Sequence, residues 1–96
     1  MKTNIIWNDW NREHIKKHNV SVIEVEKLVD SDFFNNPGHS GRNVLTARVG
    51  DRILTVVASF EDEGLYVVTA RDASKEERRN YNRLAESRCG GRVRTD

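Results

Sequence analysis

In the middle of this chain the hydrophobic pattern takes on the period of strands, and that stretch limits the fold more than any other feature. From Val44 to Arg71, three runs dense in β-branched residues, VLTARV, RILTVVASF and LYVVTAR, are separated only by GD and EDEG. Connections that short join neighbouring antiparallel strands, because a parallel pair needs a crossover of about a dozen residues or more. The middle of the chain therefore predicts three consecutive antiparallel strands.

On either side the pattern is helical. Asn8 or Asp9 can cap a first helix reaching about His18, and Asn19 suits the left-handed residue that closes it. Ser21 and Glu24 form a capping box, so a second helix begins at Val22 with Val22, Val25, Leu28 and Val29 on its apolar face. Ser74 and Glu77 repeat the capping box ahead of a last helix whose apolar stripe is Tyr81, Leu84 and Ala85. TNIIW reads as a short first strand, and DSDFFNNPGHSGRN, which holds the only proline, Pro37, reads as a long loop. The order β-α-α-β-β-β-α describes an α+β domain, a small antiparallel sheet with two N-terminal helices and a C-terminal helix.

Ninety-six residues suffice for one core and not for two. The domain is placed at residues 1–86, and residues 87–96, with two glycines and scattered charge, are expected to form a flexible C-terminal tail. No apolar run is long enough to cross a bilayer and no secretion signal is present, so a cytoplasmic protein is expected. A single cysteine, Cys89, fits a reducing compartment and excludes a Cys-rich zinc site.

The net charge of +1 conceals a segregation. Residues 1–30 carry five Lys/Arg and five Asp/Glu, residues 31–70 three and five, and residues 71–96 eight and five, giving 0, −2 and +3. A basic last third points to an anionic partner such as nucleic acid, and is equally compatible with a solvated helix.

Two groups of residues could carry chemistry. His14 and His18 stand four apart, on one side of the first helix, with Lys17 beside them. They suit a structural corner, an acid/base role or phosphate binding; a metal site lacks a third ligand, and neither metal nor cofactor is expected. The second group is cationic. Strand alternation puts Val44, Thr46 and Arg48 on one face, and Val67, Thr69 and Arg71 on one face of the last strand, with Lys75, Arg78, Arg79 and Tyr81 following in the helix. Guanidinium forks match phosphate oxygens, while Glu76, Glu77 and Glu86 offer the same arginines ordinary ion-pair partners. Trp7 and Trp10 flank the helix start, where a large aromatic more often plugs the core than forms a base-stacking platform.

The segments WNDWNxxHIxKHxVSxxEVE, GDRILTVV and VTARDASxxERRxY, in that order over residues 7–84, resemble the BrnT family of bacterial toxins. The resemblance implies a RelE-like fold, a ribonuclease that inhibits translation, and a BrnA-like ribbon-helix-helix antitoxin forming a hetero-oligomer that touches operator DNA only as the complex. It maps onto His14, Lys17, His18, Arg48, Arg71, Arg78 and Tyr81; Ser59, Phe60 and the acidic EDE turn depart from many relatives. On this reading Arg48, Arg71 and Arg78 converge to stabilise phosphate charge, His14 or His18 is the acid/base, Tyr81 positions the substrate, and Lys17, Lys75 and Arg79 bind RNA. The rival expectation is a non-catalytic module whose cationic face docks an acidic antitoxin or takes part in operon DNA regulation.

Overall fold

The computed structural model describes residues 4–94, with side chains described as far as Glu86. The elements in chain order are β1 (Ile5–Ile6), α1 (Asp9–Lys16), α2 (Val22–Asp30), β2 (Phe34–Pro37), a short 3-10 turn (His39–Gly41), β3 (Asn43–Val49), β4 (Arg52–Glu61), β5 (Gly64–Asp72) and α3 (Lys75–Arg94). Among the described residues the five strands form one sheet in the order β1-β5-β4-β3-β2. The three expected strands pair antiparallel through the two short connections, with Gly50 at φ 63° in the first. The fold is α+β, as the pattern predicts.

Two features of the sheet correct the expectation. The sheet is mixed, because β1 lies parallel to β5, pairing Ile5 with Leu65 and Ile6 with Tyr66. The supposed long loop contains a fifth strand, β2, which pairs antiparallel with β3 from Phe34 opposite Thr46 to Pro37 opposite Asn43. Its Asn and Pro content hides it, since the strand is held by its neighbour and not by its own propensity. Pro37 is tolerated because it ends an edge strand, where a missing N–H need not break a ladder. At the other end, the helical backbone of α3 continues through Gly90 and Gly91 to Arg94, eight residues past the boundary expected at Glu86.

Alternation along the strands gives the sheet two unlike faces, and a bulge in the β4–β5 pairing between Val57 and Ala58 changes the phase within β5, so Val67 lies on the face opposite Thr69 and Arg71 and not on the same one as expected. On one, Leu45, Leu54, Val56 and Val67 are fully buried and meet Ile15 of α1 and Val25 and Leu28 of α2. Each such side chain contributes about 1.5–3 kcal/mol by leaving water. On the other, Thr46, Thr55 and Arg71 stand side by side across β3, β4 and β5, and α3 lies over them.

Local hydrogen bonds fix the helices on the apolar face. Asn8 caps α1 and exchanges bonds of 2.8 Å with Asn11 in both directions, an Asn-based capping box. Asn11 is wholly buried, and its amide also donates to the carbonyls of Ile6 (2.9 Å) and Val67 (3.0 Å), tying α1 to both β1 and β5. Asn19 closes the corner at φ 60°, as expected, and Ser21 and Glu24 form the expected box on α2. Arg52 then joins corner to sheet, donating to Asn19 O (3.0 Å), Glu24 Oε2 (2.9 Å) and Asp72 Oδ1 (3.1 Å). The Ser21 N–H, together with the Arg52 charge, lowers the Glu24 pKa in spite of burial.

Candidate functional site

The polar face of the sheet carries a connected network built on the second predicted capping box. Ser74 N donates to Glu77 Oε1 at 2.8 Å and Glu77 N donates to Ser74 Oγ at 3.1 Å, which starts α3 and aims the Glu77 carboxylate back at the sheet. There Arg71 meets it with two donors, Nη1 to Oε1 at 2.7 Å and Nη2 to Oε2 at 3.1 Å, a fork-to-fork pair. The Thr55 hydroxyl donates its single proton to the same Oε1 at 3.0 Å. Thr46 must therefore be the donor in the 3.2 Å Thr46–Thr55 hydroxyl pair. The Arg71 donors, the Ser74 N–H and the Thr55 hydroxyl outweigh burial and hold Glu77 down at about 2. Arg71 is raised in turn by the Glu77 bonds.

Beside this network an open cleft of about 240 Å³ lies between β2, β3 and α3. Its walls are Phe34 and Tyr81, which meet edge to face at 5.4 Å, with Thr46, Glu77, Asn36 and Asn80 supplying polar groups. Aromatic walls with two amides and a carboxylate suit a planar ligand whose edge carries hydrogen-bonding groups.

The predicted site residues divide between the two faces. Arg48 follows Thr46 by two positions on β3, so it shares the polar face with Arg71; it is exposed and makes no hydrogen bond or ion pair among the described residues. Strand spacing puts their Cα atoms two strands and two residues apart, about 12 Å. Arg71 is half-buried and already paired, so it brings donors but no net charge to a ligand. Arg78 turns back to donate to Ala73 O at 3.1 Å. Tyr81 lines the cleft, whereas Lys75 and Arg79 are exposed and lie about half a helical turn from the Glu77–Tyr81 stripe. Of the three arginines expected to converge, Arg71 is neutralised by Glu77, Arg78 keeps its charge but is tied to the Ala73 carbonyl, and Arg48 alone makes neither a hydrogen bond nor an ion pair among the described residues.

His14, Lys17 and His18 are elsewhere. His14 belongs to α1, and Lys17 and His18 to the cap and turn that follow it; α1 packs on the apolar face, so the thickness of the sheet separates them from Arg48 and Tyr81. A histidine acting on the polar face is excluded for these two. Trp7 packs against the core as expected, but Trp10 does not: it is 55% exposed and stacks on His14. Among the described residues no group of three or more His, Cys, Asp or Glu side chains could hold a metal ion.

Sequence reasoning singled out Arg71 and Arg78 and missed Thr55, Asn36 and Asn80. Strand register was a partial signal: the first turn puts Thr55 opposite Thr46, but Thr55 meets Arg71 only because a bulge between Val57 and Ala58 shifts the β4–β5 register by one residue; the second turn alone would set it opposite Ala70.

No protein-family model, no curated protein and no solved structure matches this chain. No helix among the described residues is long and apolar enough to cross a membrane.

Proposed function

We propose that the chain is a RelE-like ribonuclease toxin of a type II toxin-antitoxin pair, cutting RNA on the polar face of the sheet without a metal. The observation that carries this reading is Arg48, an exposed, unpaired guanidinium on the same face as the Arg71–Glu77 network and the cleft walled by Phe34 and Tyr81. A base held in that cleft, with Asn36 or Asn80 at its edge, sets the adjoining phosphate toward Arg48. The 2′-hydroxyl gives its proton to water as its oxygen bonds to phosphorus, and the bond to the 5′-oxygen breaks as that oxygen takes a proton from water, leaving a 2′,3′-cyclic phosphate and a 5′-hydroxyl. Arg48 offsets the charge that grows on the phosphorane, and the Tyr81 hydroxyl orients the sugar. Glu77, held at about 2, accepts the 2′-proton poorly, so charge stabilisation and positioning supply most of the acceleration and turnover is slow. The resemblance to the BrnT family adds the cellular reading: translation is inhibited in the cytoplasm, and a ribbon-helix-helix antitoxin neutralises the toxin and brings it to operator DNA.

The test is purified, antitoxin-free protein incubated with RNA and a chelator. Discrete fragments ending in 2′,3′-cyclic phosphate support the proposal. Intact RNA at saturating protein rejects it.

A second reading is favoured by the Arg71–Glu77 pair itself. Because that guanidinium is neutralised within the fold, the face can serve as a docking surface without turnover, binding an acidic antitoxin segment through Arg48 and the outer arginines of α3. Salt-sensitive binding without RNA cleavage distinguishes it.

A further inference from the structure

The hydrogen bonds around the cleft have directions as well as lengths, and together they decide what its polar groups can still bind. Arg71 Nη1, the Ser74 N–H and the Thr55 hydroxyl all donate to Glu77 Oε1, at 2.7, 2.8 and 3.0 Å. Among the described residues Glu77 Oε2 receives one donor, Arg71 Nη2 at 3.1 Å, so it keeps a lone pair. Held at about 2, Glu77 stays ionised and can only accept. The Thr55 proton goes to Glu77 and the Thr46 proton to Thr55, at 3.2 Å, so Thr46 also has only lone pairs left.

Asn80, three residues after Glu77 on the same side of α3, is turned the other way. Its Oδ1 accepts from Arg83 Nη2 at 3.1 Å, which leaves the Nδ2 protons to donate. Thr46, Glu77 and Asn80 all line the cleft, and they offer it acceptor, acceptor and donor.

That pattern is complementary to one base. Guanine carries two adjacent donors, its 2-amino group and N1–H, followed by the O6 acceptor. Adenine and cytosine place an acceptor nitrogen beside their amino group, and uracil flanks its single N–H with two carbonyls, so each turns a lone pair toward a group that can only accept. Phe34 and Tyr81 meet edge to face at 5.4 Å and so form a corner; a base lies against one ring with its edge toward the polar groups. A peptide guanidinium is also flat and rich in donors, but it has no acceptor for Asn80, and its charge gains little from a carboxylate that Arg71 already neutralises. Arg48, exposed and unpaired on the same face, repels a cation and draws a phosphate.

We infer that the cleft is a guanine site, in which Thr46 accepts from the 2-amino group, Glu77 Oε2 accepts from N1–H and Asn80 Nδ2 donates to O6. That the ligand is a nucleotide rests on the ribonuclease reading; which base it carries does not.

The test is calorimetric titration of the full chain with the 3′-monophosphates of guanosine, adenosine, cytidine, uridine and inosine. The guanosine nucleotide is expected to bind about tenfold or more tightly than the adenosine, cytidine and uridine ones, the difference that a hydrogen bond to a charged group implies. Inosine lacks only the 2-amino group and is expected to bind about two- to tenfold more weakly than guanosine, the loss of one neutral hydrogen bond. Asn80 is exposed on α3, so Asn80→Asp leaves the fold in place while it replaces the donor with an acceptor. That variant is expected to narrow the gap between guanosine and adenosine, because adenine has an amino group where guanine has O6.

Equal affinities for the five nucleotides, or no binding of the guanosine nucleotide at millimolar concentration, would overturn the guanine site. An unchanged guanosine-to-adenosine ratio in Asn80→Asp would also overturn it. Acetylarginine amide bound more tightly than the guanosine nucleotide would assign the cleft to a peptide guanidinium instead. A 3′-monophosphate has no 5′ linkage to break, so these outcomes are independent of the ribonuclease test. Selective binding by a protein that cuts no RNA keeps the guanine site and removes the nuclease, whereas cleavage by a protein without that selectivity does the reverse.

Discussion

Arg71 at the end of β5 and Glu77 in the first turns of α3 form a two-donor ion pair at 2.7 and 3.1 Å, which fastens α3 to the polar face of the sheet. The pair also fixes the electrostatics of the cleft, since it removes from Arg71 the free charge that a phosphate would meet.

Glu77→Gln keeps an acceptor for Ser74 and Thr55 but leaves Arg71 without its counter-charge. The side chains of Arg71 and Glu77 are 37% and 26% exposed, so solvent screening limits the loss to about 1–2 kcal/mol. Glu77 is lowered from 4.5 to about 2, hence its contribution is complete above about pH 4.5 and disappears as pH falls toward 2. Urea unfolding from pH 7 to pH 2 is expected to show the two proteins converging across that window; a difference that stays constant down to pH 2 contradicts the pair's role.

Asn11→Ala removes the acceptor for Asn8 N and strands the carbonyls of Ile6 and Val67, at a site with no water access. A loss of about 2–4 kcal/mol in chemical denaturation is expected. Asn11→Asp should be no milder, because its carboxylate faces two carbonyl oxygens. A change below about 0.5 kcal/mol in either variant would show that Asn11 does not anchor α1.

Gly64 stands at φ 148° with the Asn4 carbonyl against the space a Cβ would occupy, and the neighbouring Leu65 N donates to that carbonyl at 2.7 Å. Gly64→Ala is expected to cost about 1–3 kcal/mol and to loosen β1 from β5. Hydrogen exchange at Leu65 reads this directly: faster exchange is expected, and unchanged protection contradicts the close approach.

The parts of the fold that were legible in the sequence are those set by local chemistry. The Ser21–Glu24 and Ser74–Glu77 boxes, the left-handed Asn19 and the two-residue turn at Gly50–Asp51 are short-range devices, and each sits where its residues put it. What was not legible is non-local. β2 exists because β3 supplies its partners, while its own FNNP pattern argues for a loop. The mixed sheet depends on Ile5 and Ile6 reaching β5 from sixty residues away. The site divided for the same reason: periodicity places His14 with His18, and Thr46 with Arg48, but which helix covers which face of the sheet is decided by tertiary packing. Glu77 could be read as a cap and as a partner for arginines, yet its grip on Thr55 needed the register.

In the proposed reaction RNA is cut on the polar face, by Arg48 and beside Tyr81, and not by the histidines. Single-turnover cleavage at saturating protein distinguishes the two faces, because it separates chemistry from binding. Arg48→Ala is expected to lower the rate by about a hundredfold or more with folding unchanged. His14→Ala/His18→Ala is expected to leave the saturated rate within about threefold, because both histidines are on the far side of the sheet from the cleft. A double histidine variant that loses the chemistry, or an Arg48→Ala protein that keeps it, would contradict the assignment.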